Sequence, residues 1–127
     1  MKAKGWLLAI LAALPSAALS ADFSNDEICK AAIALEMARP TDIMQTVRSG
    51  DMPQIRYTRP GGDSFLFRCK VQTERVIWAT YFDETGGWGR RRDAADDGVI
   101  SFTVSGGTLQ VSSSLTGITR SFAKEDF

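Results

Sequence analysis

Histidine is missing from this chain altogether. Ser-His-Asp and Cys-His catalysis are therefore without their usual base, and zinc sites of the His-bearing kinds are without their ligands. Cysteine is nearly as scarce. Only Cys29 and Cys69 occur, too far apart for the Cys-x-x-Cys arrangement of a redox pair. No apolar run reaches membrane-spanning length: residues 6–14 are apolar, but Pro15 stops the run well short of the roughly 20 residues a spanning helix needs. Internal repeats, low-complexity tracts and interdomain linkers are also lacking. So is net charge, with 15 Lys and Arg against 15 Asp and Glu. Such a chain has no global field to concentrate polyanions, which argues against nucleic acid as a main partner.

What is present begins with a leader. Lys2 and Lys4 precede the apolar run, and Pro15 is followed by the small residues Ser16, Ala17, Ala18 and Ser20. This pattern predicts a signal peptide over residues 1–20, cleaved near Ala21, and one domain over 21–127. No cysteine stands at the junction to carry a lipid, so the expected product is free in the periplasm or secreted, with no membrane span after cleavage. Losing Lys2 and Lys4 from 15 basic side chains leaves 13 against 15 acidic ones, a net charge of −2. Most of those cations are Arg, the side chain suited to planar, bidentate contacts. Both cysteines lie in the exported part, where thiols are oxidised in pairs, and one Cys29–Cys69 disulfide is predicted.

The exported part opens with its one helical segment, over residues 25–38. Ser24, Asn25 and Asp26 offer a choice of N-cap, Asp26 and Glu27 put negative charge on the first turn, and Arg39-Pro40 stops the helix. Ile28, Ala32 and Leu35 form one stripe, with Cys29 and Ile33 beside it. The apolar period then changes from 3.6 to 2, and turn signals recur at short intervals. Strands are predicted near 43–48, 53–59, 64–71, 75–82, 98–104, 108–114 and 118–123. A two-residue turn at Thr73-Glu74 sets Val76, Trp78, Thr80 and Phe82 beside Phe65, Phe67, Cys69 and Val71 on the core face. Ile55 and Tyr57, then Ile100, Phe102, Val104, Leu109 and Val111, complete that face. The fold class expected is α+β: one N-terminal helix on an antiparallel β-meander of six or seven strands, pinned by the disulfide.

Segment 83–98, DETGGWGRRRDAADDG, is the exception to the short turns, and loops of this length in compact domains are often functional. Trp88 would serve as a stacking platform or aromatic anchor, with Arg90, Arg91, Arg92 and Asp93 supplying ionic contacts to a partner. In the competing arrangement Trp88 folds back over the end of the core and the arginines pair with Asp83, Glu84, Asp93, Asp96 and Asp97. The outer face of the sheet is a second candidate. Alternation places Arg56, Arg68, Lys70 and Arg75 there beside Leu66, Ile77 and Tyr81, either to receive an acidic partner or merely to solvate the sheet. The acid pairs Asp83-Glu84 and Asp96-Asp97 are adjacent and have no apolar shell to raise a pKa, and no EF-hand spacing is present. Neither enzymatic activity, nor a cofactor, nor a metal is expected.

The stretches ICKAAIA (28–34), YTRPGGDSFLFRCK (57–70), RVIWA (75–79) and GGWGRR (86–91) together resemble an uncharacterised family of small exported proteins of Gram-negative bacteria. The resemblance covers residues 26–104. It implies export, a disulfide and one domain, and it supplies no catalytic residue. The run of three arginines departs from that family's pattern, so no role for Arg91 or Arg92 follows from it. The function expected from the chain is that of a non-catalytic protein-binding module, an inhibitor or envelope accessory acting through the 83–97 loop. The alternative is a binder of cell-wall glycan or another small envelope ligand.

Overall fold

The computed structural model of the chain describes residues 23–127. The expected leader and its cleavage point lie outside the described residues. Helix α1 spans Asn25–Met37. Of the three possible caps the chain uses Ser24: its Oγ accepts the Glu27 N–H at 3.2 Å, while the Glu27 carboxylate accepts the Ser24 N–H at 2.9 Å. Asp26 is thereby left to accept the Ser49 hydroxyl at 2.6 Å, which ties the helix start to a distant turn. The helix ends one residue earlier than its periodicity suggests. Ala38 turns into the left-handed region (φ 54°, ψ 50°), and Pro40 disfavours helical backbone at Arg39.

Eight strands follow: β1 Met44–Arg48, β2 Gln54–Thr58, β3 Ser64–Val71, β4 Arg75–Phe82, β5 Gly87–Trp88, β6 Ile100–Ser105, β7 Thr108–Ser113 and β8 Thr119–Ala123. Seven of them form an antiparallel sheet in the order β1-β2-β3-β4-β6-β7-β8, and β5 pairs only with the tip of β4. The fold is α+β, as its sequence pattern implies. β3 and β4 have the expected register, with Val71 opposite Val76, Cys69 opposite Trp78 and Phe67 opposite Thr80. β1 starts at Met44 because a 3-10 turn takes up Thr41–Ile43. β6 starts at Ile100 because the Val99 N–H bonds the Ser114 hydroxyl at 2.7 Å rather than a neighbouring strand.

Two expectations about the core need correction. Phe82, assigned to the core face by alternation, is 41% exposed, because the tip of β4 leaves β3 to pair with β5. The helix is also buried over more than one stripe. Ala31, Ala32, Ile33 and Ala34 are consecutive and all fully buried, a full turn of helix with no wet side. The sheet curls about it, so that β2, β3, β7 and β8 all reach α1. Alanines at these positions allow that close approach. The core beneath is Ile33, Ile55, Val76, Leu109 and Val111, and the Cys29–Cys69 disulfide (Cα–Cα 5.8 Å) joins α1 to β3 inside it. Among the described residues no helix is long and apolar enough to cross a membrane.

Arg120 is the one charged side chain of β8 on the helix side of the sheet, two residues from Phe122 and opposite Val111. Its Nη1 donates to the carbonyls of Ala34 (3.1 Å) and Arg39 (3.0 Å). The last turn of α1 has no cation of its own, so β8 supplies one to the negative end of the helix dipole.

Candidate functional site

The long loop and the outer face of the sheet form one surface. After the turn at Gly86, the chain runs back along β4 with Trp88 opposite Tyr81 and Gly87 opposite Phe82. The Gly89 N–H then donates to the Thr80 carbonyl (2.7 Å) and the Arg92 N–H to that of Trp78 (2.8 Å). Segment 87–92 thus lies along the edge of β4 that β6 pairs only at Arg75 and Val76. A Cβ on Gly89 would stand 2.4 Å from the Phe82 ring, so a larger residue there would have to displace that ring.

Directly opposed residues share a face, so Trp88 lies with Tyr81 on the outer face. Their rings meet edge-on at 5.4 Å, and the Arg68 guanidinium lies 4.5 Å from the Trp88 ring centre. Ile77 and Ala79, which alternation sends outward, are only 7% and 1% exposed. Met52, Arg68, Lys70 and Arg91 surround them. Trp88 therefore does fold back, but over the outer face of the sheet rather than the end of the main core. The apolar outer residues form a small second core there.

The three arginines separate because segment 89–92 spends three residues against the two from Thr80 to Trp78, which brings Arg91 to the face of Trp88. Arg91 faces outward, exposed. Arg90 grips Asp97 with both terminal nitrogens at 2.7 Å, and Arg92 stands 3.7 Å from the same carboxylate, with its guanidinium 5.4 Å from the Trp78 ring centre. Asp97 also accepts the Ala94 N–H at 3.0 Å, and its side chain is 8% exposed. Of the five acids expected to pair with this run, Asp97 is the one that does. Asp83, Glu84, Asp93 and Asp96 make no ion pair among the described residues, and Asp93 acts on Arg90 only through the field. On the helix, burial pushes the Glu36 carboxyl up, and the charge of Arg92 opposes it in part.

The Arg90 hydrogen bonds, with the Ala94 amide, hold the Asp97 carboxyl at about 2 instead of 3.8. A carboxyl whose folded pKa is depressed stabilises the folded loop fully above its unfolded pKa, and that contribution is lost as the pH falls through the folded value. The loop is therefore expected to keep its order down to pH about 4 and to loosen between there and about 2. Hydrogen exchange at the Ala94 and Arg92 amides measures this. Asp97→Asn should show the loosened state at neutral pH, and unchanged protection in that variant would refute this account of the loop.

Five cations besides Arg91 occupy the outer face of the β1–β4 half: Arg48, Arg56, Arg68, Lys70 and Arg75, the last opposite Ser101. Gln45 faces Arg56, which faces Leu66; Arg48 faces Gln54, which faces Arg68; and Lys70 faces Ile77. None of these six makes an ion pair among the described residues. Sequence alternation missed Arg48. It gives Arg48 the inward face of Met44 and Thr46, but an irregularity between Thr46 and Arg48 turns it outward. Met52 was missed as well, since nothing in a turn residue shows what it covers. The β6–β8 half of the same face is uncharged, with Ser101, Thr103, Gln110, Ser112, Thr119 and Ser121 in its rows.

Beside Tyr81, between the tips of β3 and β4, opens a cleft of about 570 Å³ whose walls include Arg56, Leu66, Phe82, Asp83 and Glu84. Among the described residues no three Asp, Glu or Cys side chains converge to hold a metal ion. Asp97 is committed to Arg90, and the site combines unpaired cations with aromatic surface. Compared with known proteins, the chain matches no family model, no curated protein and no solved structure.

Proposed function

We propose that the domain works outside the cytoplasm as a non-catalytic binding module that receives an acidic protein surface on the outer face of β1–β4. The observation that carries this reading is the set of six cations, Arg48, Arg56, Arg68, Lys70, Arg75 and Arg91, gathered on one face without an ion pair among the described residues. A chain that would carry a net charge of −2 after export has acids to spare, yet none of these cations is paired with one among the described residues. The loop contributes by position: Asp97 holds Arg90 and Arg92, and that frees Arg91 to face outward beside Lys70. The Cys29–Cys69 disulfide and the leader-like residues 1–20 support an oxidising compartment.

Glycan recognition is the weaker reading on the same geometry. A sugar stacks on an open aromatic face, and the Trp88 ring is already covered by Arg68. A photo-crosslinking amino acid in place of Met52, inside the basic half, is expected to capture a protein partner in the intact envelope. One in place of Ser121, in the uncharged half, is expected to capture none. Lys70→Glu with Arg91→Glu should reduce capture at Met52 by roughly tenfold or more, and raised salt should weaken it. Equal capture by that charge-reversed protein, folded and with its disulfide intact, would count against the proposal.

A further inference from the structure

β3 and β4 begin as one regular hairpin and then part. Their ladder ends at Phe67 opposite Thr80, although the same register continued would set Leu66 opposite Tyr81 and Phe65 opposite Phe82. Tyr81 and Phe82 turn instead to Trp88 and Gly87 on their other side, while β3 stays with β2 as far as Ser64 opposite Thr58. The divergence is built in. Two β5 pairs, the Gly89 bond to Thr80 and the Phe82 ring lying on Gly89 all hold the β4 tip away from β3. The 570 Å³ cleft is the space between them, within the range of about 300–1,000 Å³ usual for ligand sites.

The walls of this space are unequal in charge. Arg56 stands on the β2 side, Asp83 and Glu84 stand where β4 ends, and none of the three makes an ion pair among the described residues. Between the poles lie Leu66, Tyr81 and Phe82, and Phe82 is an exposed aromatic at the lip. Two strand tips with a gap between them suit an extended backbone, and opposite charges at the two ends suit a segment charged oppositely at its own ends. We propose that the cleft receives a short extended peptide segment of the protein partner, with a carboxylate toward Arg56, an apolar side chain on Leu66 and Phe82, and a cation toward Asp83 and Glu84. This rests on the reading of the outer face as a protein-binding surface and names the part of the partner that the cleft takes.

The test uses the folded, disulfide-bonded exported protein and the blocked pentapeptide Lys-Thr-Val-Thr-Glu, followed by amide chemical shifts. Shifts at residues 64–66 and 81–84 are expected to saturate below about 1 mM peptide. Arg56→Glu with Glu84→Lys should weaken this peptide at least tenfold and instead favour Glu-Thr-Val-Thr-Lys. Absence of saturable shifts at these residues with either peptide overturns the inference, as does an equal response to a peptide with Gln at both ends. Lys70→Glu with Arg91→Glu leaves the cleft intact and should keep the peptide response. Undiminished partner capture by this variant with the peptide response kept therefore overturns only the broader reading of the face, and reduced capture without any saturable peptide response overturns only the cleft.

Discussion

Replacing Cys29 and Cys69 together by alanine is expected to lower the stability of the domain by about 4 kcal/mol, the chain-entropy value for a closed loop of about 40 residues. Domains of this size are stable by only about 5–15 kcal/mol in all, so the melting temperature should fall by roughly 15–30 °C. The loss comes from the freedom the bridge removes from the unfolded chain, and it adds to the seat that Ile28, Ile33 and Leu35 make for α1. Its buried positions include Ala31, Ala32 and Ala34, which permit close approach but each remove little apolar area from water. Thermal melts of the oxidised protein, the reduced protein and the double variant measure the effect. A loss under about 1 kcal/mol would mean that packing alone seats the helix and that the bridge is incidental.

Arg120→Met should cost about 2–3 kcal/mol, more than a surface arginine normally would. Methionine keeps much of the stem but leaves the Arg39 carbonyl without the guanidinium and removes the cation that β8 supplies to a last turn without a basic residue of its own. The Ala34 carbonyl still has the backbone amides of Ala38 and Arg39, so the larger effect should be felt at the helix end. Ala38, held in the left-handed region without being glycine, lies between the two carbonyls that Arg120 binds. Arg120→Lys is expected to recover only part of the loss, since the ammonium is a more strongly hydrated charge on a flexible stem and the guanidinium Nη1 is held between both carbonyls. Denaturant midpoints decide this, and a change below about 0.5 kcal/mol for Arg120→Met would show the contacts to be ornamental.

Much of this architecture is local in origin and therefore legible in the chain. The capping residues before Glu27, the period of two through β3, the turn at Thr73-Glu74 and the inward placement of Cys69 depend on near neighbours, and each is present as expected. The candidate site was legible only in its ingredients. Trp88 and three arginines within a long loop mark a surface of interest. Which arginine is tied down depends on Asp97, several residues away, and on the way segment 87–92 docks against β4.

The sequence by itself determined the single helix, the run of antiparallel strands, the bridge between the cysteines and the absence of histidine chemistry, because periodicity, turn residues and composition act over a few positions. Only the tertiary structure decided that the sheet wraps a full turn of the helix, that Arg120 points inward to cap it, that Arg48 is turned outward and that β3 and β4 separate. Those outcomes follow from pairing between distant segments. A strand edge that can take either of two neighbours, as the tip of β4 can, is resolved by the packing of the whole sheet and not by the residues of that strand.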